Sequence, residues 1–557
     1  MAPFTQVLDP LNSVAGSALL ALLPVALLLV LLAVFRMTAW QTVIIGSVVT
    51  ITLATAVWHT PFANAMASYG LGAATGVWSV DWVVFWGVII YFTMVMTGTF
   101  DDFKRWLIRQ ATADIRVQTL LMAWAFGALL EGLVGFGYPW AIVAPILIGL
   151  GVADLAAIRV AALANNAPCS FGSLGTPIIG LAAVTGLPLL SLSASVGKIV
   201  ALLALLPPWI LIYLVSGKRG LRDGWPLAIV GSFGYIAGQF PVAEWLGPYL
   251  PDIVGSLVCF AALVGLLRIW QPKTVLGFGG RELTPEEISA YGQEAVPAGA
   301  TPADSPGTPA AHWSAGSQRQ RVIRSLVPFG ILIVVVIAWT GPWSSLPKYI
   351  PWEPKVTAVG SLGGTIESSW KFEPFIAGTA IMVSWFLITL FLRPGRGQIP
   401  TIFRSTFRQA WGALLVGPFI FGLAYVFAYS GMANSMANGF SKVGTPFVLL
   451  SPILGWIAVG LSGSNTSSNA LFGQVQLSVG KLLGAPVLLF PSLNSVGAEV
   501  GKAIAPQTTS VGVSTTKYVR QEGVVIRYNM GWSLLILAYL ILIALLYYFV
   551  LPDAMRL

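Results

Sequence analysis

Two polar, glycine-rich interruptions lie far apart in a chain that is otherwise almost entirely apolar. The first reads EGLVGFGYP (131–139) followed by NNAPCSFGSLGTP (165–177), and the second LSGSNTSSNALFG (461–473) followed by NSVGAEVGKAIAPQ (494–507). In lipid, a backbone amide that leaves a helix must find a partner or cost several kcal/mol, so such breaks persist where they line a cavity or bind something. Breaks at corresponding places in two halves of a membrane chain point to a substrate site formed between those halves.

Composition supports the membrane reading. The chain is 56% hydrophobic and 9% charged, whereas soluble globules carry charge on about a quarter of their residues. Its 557 residues supply about a dozen spans of roughly 20 residues each and leave no room for a large soluble domain. The expected fold is therefore all-α and polytopic. A net charge of +9 calls for no nucleic-acid partner, because retention of Lys and Arg on the cytoplasmic side gives the same excess. Cys169 and Cys259 sit in apolar or glycine-rich surroundings and read as small packing residues. Only His59 and His312 offer imidazole, so neither a metal nor another cofactor is expected.

Apolar length places spans near 17–35, 40–57, 78–98, 155–182, 190–216, 226–246, 252–270, 326–341, 374–392, 409–430, 485–513 and 529–551. The run 17–35 lacks a basic flank before it and leads into a second span, so it reads as a span and not as a cleavable signal. Segments 101–116, 217–224, 393–408 and 515–528 hold clustered Lys and Arg and are expected in the cytoplasm, whereas 58–77 has no basic residue and is expected outside. Both termini then fall on the outer side. This alternation requires 118–152 and 447–483 to enter and return as re-entrant hairpins. Seven spans separate the hairpins, so one enters from each side, which is the arrangement of an inverted repeat. Asn165 and Asn494 each precede a proline, Pro177 and Pro506, by 12 residues. The two halves are 1–270 and 326–557, each with one hairpin and one broken span (155–182 and 485–513). Between them, 271–325 is rich in Pro, Ala, Gly, Ser and Glu and reads as a flexible cytoplasmic linker with at most a short helix around 284–292. The aromatic residues of 342–372 suit an external interface.

The breaks carry the candidate chemistry. Gly135 and Gly137 permit an unwound first tip with exposed amides, and Glu131 sets a carboxyl beside it. A carboxyl at membrane depth is costly and usually functional, and an apolar pocket raises its pKa toward physiological pH, so Glu131 is the candidate proton-coupling residue. The second break crowds Ser464, Asn465, Thr466, Ser467 and Ser468 at a helix start, where hydroxyls, amides and backbone N–H groups hold a carboxylate without a fixed charge. Asn165, Asn166 and Thr176 on the first broken span, with Asn494, Lys502 and Gln507 on the second, complete the candidate substrate site. Lys502 is the candidate cationic partner of an anion, and Glu499 is placed to pair with it.

These motifs resemble the L-lactate permease family. The resemblance is carried by LLEGLVGFGYPWAI (129–142), NNAPCSFGSLGTPI (165–178), GWPLAIVGSFGYIAGQF (224–240), LGPYLPDIVGSLV (246–258), SPILGWIAVGLSGSNTSSNALFG (451–473) and NSVGAEVGKAIAPQ (494–507), in order along nearly the whole chain. It implies a bacterial inner-membrane importer of L-lactate, D-lactate or glycolate with protons, acting as a monomer or homodimer. A more distant similarity to dicarboxylate/sodium symporters, whose tips carry Ser-Asn-Thr as Ser464, Asn465 and Thr466 do here, implies an elevator motion. The family commonly has Asp where this chain has Asn465, Thr or Ala at Tyr138, and a small or apolar residue at Glu499.

The expected function is secondary active transport of a small 2-hydroxy monocarboxylate by proton symport, with another small organic anion or Na⁺ coupling as alternatives. An anion channel would present a continuous polar stripe and needs no inverted breaks. An enzyme would show a metal-ligand cluster or a nucleophile–base pair, and a primary pump a nucleotide-binding loop; none of these is visible in the sequence.

Overall fold

Runs of Leu, Ile, Val and Ala satisfy their backbone amides internally, as a bilayer requires, and in the computed structural model they become helices along most of the chain. The structure describes residues 4–110, 112–135, 137–288, 317–514 and 516–557. Among these, eight helices or runs of successive helices are long and apolar enough to cross a membrane: Val14–Leu32, Ala39–Ala56, Phe62–Met96, Leu189–Trp245, Pro251–Ile269, Arg319–Thr340, Gln398–Tyr429 and Glu522–Val550. The pair Asp154–Ala164 and Cys169–Thr185 bends by 66° and makes a ninth when counted as one broken span. Tyr138–Gly149, Ala377–Leu392 and Phe447–Ser462 are shorter apolar helices.

Several expected connections are helical. Segment 58–77 is expected outside, between spans that end at 57 and begin at 78, but a helix begins within it at Phe62 and runs through a π-turn at Gly76–Asp81 to Met96. The lack of basic residues bears on which side a segment lies, not on whether it is helical. Small residues carry this helix onto Gln398–Tyr429: a Cβ at Gly72 would lie 2.4 Å from the carbonyl oxygen of Phe421, a close approach of the kind small residues allow between membrane helices. Likewise, part of 393–408 belongs to the helix Gln398–Tyr429, and part of 101–116 forms the amphipathic helix Thr99–Gln110. The expected loop 217–224 is a single break at Gly217 (φ 68°, ψ −167°) inside Pro207–Trp245, while the expected span 190–216 is interrupted at 204–206.

The linker is more ordered at its ends than its composition suggests. Leu276 pairs with Glu282 in an isolated bridge, residues 285–288 are helical, and Ser317 and Gln320 form a reciprocal capping box that starts Gln318–Thr340 well before the expected 326. The rest of the expected helix at 284–292 and His312 lie outside the described residues. Nor is the fold wholly α. Lys355–Val359 and Thr365–Ser369 pair antiparallel, and Phe4–Thr5 adds in parallel along Ala358–Val359.

Each expected hairpin is a helix, a break and a helix. The first comprises Gly127–Leu133 and Tyr138–Gly149, the second Phe447–Ser462 and Asn465–Leu483. The second broken segment comprises Leu489–Gly501, a 3₁₀ turn Lys502–Ile504 and Pro506–Val513. The two 12-residue Asn-to-Pro intervals do not occupy matching positions: Asn165 caps a helix end, whereas Asn494 lies inside one. Large side chains including Trp124, Trp140, Phe171, Tyr235 and Phe421 fill the interior around the breaks and are fully buried.

Candidate functional site

Glycine sets the first tip. Gly135 has φ 66°, in the left-handed region that costs a side chain steric strain, and a Cβ there would stand 2.1 Å from Ser173 Oγ. Ser173 Oγ donates to the Val134 carbonyl at 2.7 Å. Ser173 itself belongs to a left-handed run with Leu174 and Gly175 (φ 47°, 57° and 79°) in the first broken span, so the tip and the break stabilise one another's irregular backbones.

The second tip is a helix start. Gly463, at φ 74°, ends one helix, and Ser464 caps the next by accepting from Ser467 N at 3.2 Å. Ser467 Oγ donates to Ser464 Oγ at 3.0 Å. Much of the polar run therefore occupies the first turn of Asn465–Leu483, where backbone N–H groups are left over.

A buried hydrogen-bond network ties this turn to both broken segments. Asn469 Nδ2 donates to the Pro177 carbonyl at 2.9 Å and to Ser495 Oγ at 3.1 Å, and Asn494 Nδ2 donates to Asn469 Oδ1 at 3.0 Å. Asn465 Nδ2 reaches the Ser495 carbonyl at 3.2 Å and Ser170 Oγ at 3.4 Å, while the Ser170 and Ser495 hydroxyls are 3.0 Å apart. The charged groups do not pair as the sequence suggests. Glu499 Oε1 accepts from Ser170 N at 2.7 Å, and Lys502 Nζ donates to Glu131 Oε1 at 2.5 Å. The expected Glu499–Lys502 pair is thus replaced by Glu131–Lys502, because the first hairpin brings its carboxylate to the 3₁₀ turn of the second broken segment.

In front of this network lies a cavity of 760 Å³. Its wall takes Val134 and Tyr138 from the first tip, Thr176 from the first broken span, Ser462, Gly463, Ser464, Thr466 and Ser467 from the second tip, and Pro506, Gln507 and Thr508 from the second broken segment. Exposed Arg36 and Arg520 also border it.

Of the candidates, Thr176, Ser464, Thr466, Ser467 and Gln507 are in the wall. Asn465, Ser468, Asn494, Lys502 and Glu131 lie buried in the packing around it, with Ser468 Oγ accepting from Asn494 Nδ2 at 3.5 Å. Gly137 packs on Thr508, since a Cβ would stand 2.9 Å from its methyl. The amides of Asn165 and Asn166 are buried without a hydrogen-bond partner among the described residues. Sequence reasoning missed Asp81, which also lines the cavity; a lone aspartate in the apolar run 78–98 was the available signal.

A family profile for L-lactate permease matches residues 17–551. The glycolate permease of Escherichia coli K12 is 32% identical, with 98% of each chain covered. The L-lactate permease of Bacillus subtilis is 30% identical over 98% of each chain, and that of E. coli K12 is 29% identical over 95% of each. With the profile spanning nearly the whole chain and a relative at this identity aligned from end to end, the protein belongs to the L-lactate permease family.

Proposed function

We propose that the protein is a secondary active transporter of the bacterial inner membrane that imports a small 2-hydroxy monocarboxylate, L-lactate or glycolate, with protons. The observation that carries this reading is that one cavity takes wall residues from both tips and both broken segments. Its relatives carry the names glycolate permease and L-lactate permease. The hydroxyls of Thr176, Ser464, Thr466 and Ser467 and the amide of Gln507 offer neutral donors to a carboxylate and a 2-hydroxyl. A site of neutral donors binds an anion and also releases it. Arg36 and Arg520 raise the local concentration of anions at the border of the cavity.

In this reading 118–152 and 447–483 are re-entrant hairpins of an inverted repeat within about twelve crossings, the halves are 1–270 and 326–557, and both termini lie outside. The arginines at the cavity then face the cytoplasm, and the substrate leaves on that side. Alternating access proceeds by an elevator motion of the two hairpins and broken segments. Their dense mutual hydrogen bonding, from Asn469 to Pro177 and from Asn465 to Ser495, favours movement as one body. The Glu131–Lys502 pair acts as a clamp between the first hairpin and the second broken segment.

Uptake into proteoliposomes with L-lactate, D-lactate, glycolate and pyruvate, under separately imposed pH and Na⁺ gradients, tests the reading. Saturable accumulation of lactate or glycolate driven by the pH gradient is expected. Accumulation driven only by Na⁺, or flux that never saturates, overturns it.

A further inference from the structure

We infer that Asp81 is the proton-accepting group of the substrate cavity, and that its protonation is what admits the substrate's carboxylate. This rests on the transport reading above and names the group through which that site couples to protons.

The backbone places Asp81 deliberately. The helix Phe62–Met96 widens into a π-turn over Gly76–Asp81, a local insertion that re-aims side chains and recurs at functional sites. Asp81 closes that turn, is 8% exposed and lies in the cavity wall. Opposite it, on Gln398–Tyr429, stands Gly417, where a Cβ would meet Asp81 Oδ1 at 2.4 Å. Any larger residue at 417 would occupy the space the carboxylate uses.

Asp81 differs from the other buried carboxyls in having neither a hydrogen bond nor an ion pair among the described residues. Glu131 holds Lys502, Glu499 accepts from Ser170 N, Asp252 accepts from the Tyr235 hydroxyl at 2.8 Å, Asp114 holds Arg116, and Asp102 pairs with Arg105. None of these five lines the cavity. An ionised carboxylate at membrane depth without a counter-ion is expensive and is retained for a function.

The surroundings leave Asp81 free to answer to the substrate. Of the helices packed on the π-turn, Phe62–Thr75, Trp82–Met96 and Gly172–Thr185 contribute no charged side chain, only Tyr69 and Tyr91 as titratable groups. Gln398–Tyr429 contributes Arg404 and Arg408 near its start and Tyr425 and Tyr429 near its end. The cavity wall adds Arg36, Arg520, Glu522 and Tyr138. Glu522 accepts from Ser510 Oγ at 3.0 Å.

Two negative charges enclosed in one cavity repel. The anion therefore binds best when Asp81 carries a proton, and by reciprocity the bound anion raises the affinity of Asp81 for that proton. Water supplies the proton to a carboxylate oxygen before the anion enters, and the proton returns to water when the anion leaves. Binding linkage of this kind makes substrate and proton move together without direct contact between Asp81 and the substrate.

The test is the pH dependence of L-lactate binding to the purified full-length protein, together with pH-driven uptake in proteoliposomes. One linked proton weakens apparent affinity by about tenfold per pH unit along the alkaline limb. Asp81→Asn should bind with an affinity that does not change with pH and should lose pH-driven accumulation, while Asp81→Glu should keep a pH-dependent limb. If the Asn variant fails to fold, Asp81→Ser offers a second group that cannot titrate, and the same flat profile is expected. A wild-type slope retained in either neutral variant, or pH-driven accumulation in either, overturns the assignment while leaving the transport reading intact. If the wild-type protein neither binds nor carries lactate or glycolate, the transport reading fails and the assignment falls with it.

Discussion

Lys502 Nζ stands 2.5 Å from Glu131 Oε1, with side-chain exposures of 5% and 2%, and joins two segments that are 371 residues apart in sequence. Removing one partner of such a buried pair leaves an uncompensated charge, at a cost of about 3–5 kcal/mol. Glu131→Gln and Lys502→Met should each lower the thermal unfolding temperature markedly, whereas the double variant should recover most of the loss. Losses that simply add in the double variant would show that the two groups do not depend on each other.

Residues in the cavity wall and residues behind it should respond differently to substitution. Gln507→Leu keeps the approximate volume but removes a donor from the wall, and a hydrogen bond to a charged ligand contributes roughly 1.5–3 kcal/mol, or about ten- to a hundredfold in affinity. The half-saturation concentration for lactate or glycolate uptake should rise by that factor with the unfolding temperature unchanged. Asn465→Ala instead removes bonds to Ser170 and Ser495, so its principal effect should be a lower unfolding temperature. Unfolding and uptake curves measured on both variants separate the two outcomes; a reversed pattern would place the substrate on the Asn465 side of the network.

The breaks were legible because glycine, proline and clustered hydroxyls inside apolar helices are a backbone signal, and the structure breaks its helices at 134–135, at 137, and at 165–168, 463–464 and 502–505. What those breaks touch was not legible. Glu499 was the nearer carboxyl to Lys502 in sequence, yet Glu131 is the one that pairs with it, and only tertiary packing decides that. Asn465 stood out in the polar run of the second tip as a substrate-binding amide, but its amide group turns to Ser170 and Ser495. Asp81 escaped notice because its meaning depends on the π-turn and on Gly417 across the helix interface. Helix ends were misplaced at 58–77 and 393–408 for another reason: charge counts bear on which side of the membrane a segment lies, whereas these segments become helical by packing Phe62–Thr75 and Gln398–Tyr429 on each other.

The small sheet gives a test of sidedness. Phe4 and Thr5 pair with Ala358 and Val359, so the N-terminal residues and the 342–372 segment share one side of the membrane. Cysteines introduced at Thr5 and Val359, both exposed, should react with an impermeant maleimide added to intact cells. A cysteine at Arg281, whose side chain is 63% exposed, should react only after permeabilisation. Equal labelling of all three positions from outside would reject the proposed alternation of spans.

Arg116 forms a second buried ion pair, with Asp114, at side-chain exposures of 0% and 1%. Its Nε and Nη2 hold the two carboxylate oxygens at 2.9 and 2.7 Å, and the guanidinium also donates to the carbonyls of Gly220 and Thr274. Asp114 in turn accepts from Leu276 N at 3.1 Å. One fork thus fastens the residues just before the first hairpin to the residues after the Gly217 break and to the beginning of the linker. Lysine has the charge but not the planar set of donors, so Arg116→Lys should lose roughly 1.5–3 kcal/mol of stability. Arg116→Met, which strands Asp114, should lose about 3–5 kcal/mol. Limited proteolysis of the purified protein should show faster cleavage within 271–288 in the order Met, Lys, wild type. Wild-type cleavage rates in both variants would mean that the linker is held by other contacts, with Arg219 to Glu282 the next pair to remove.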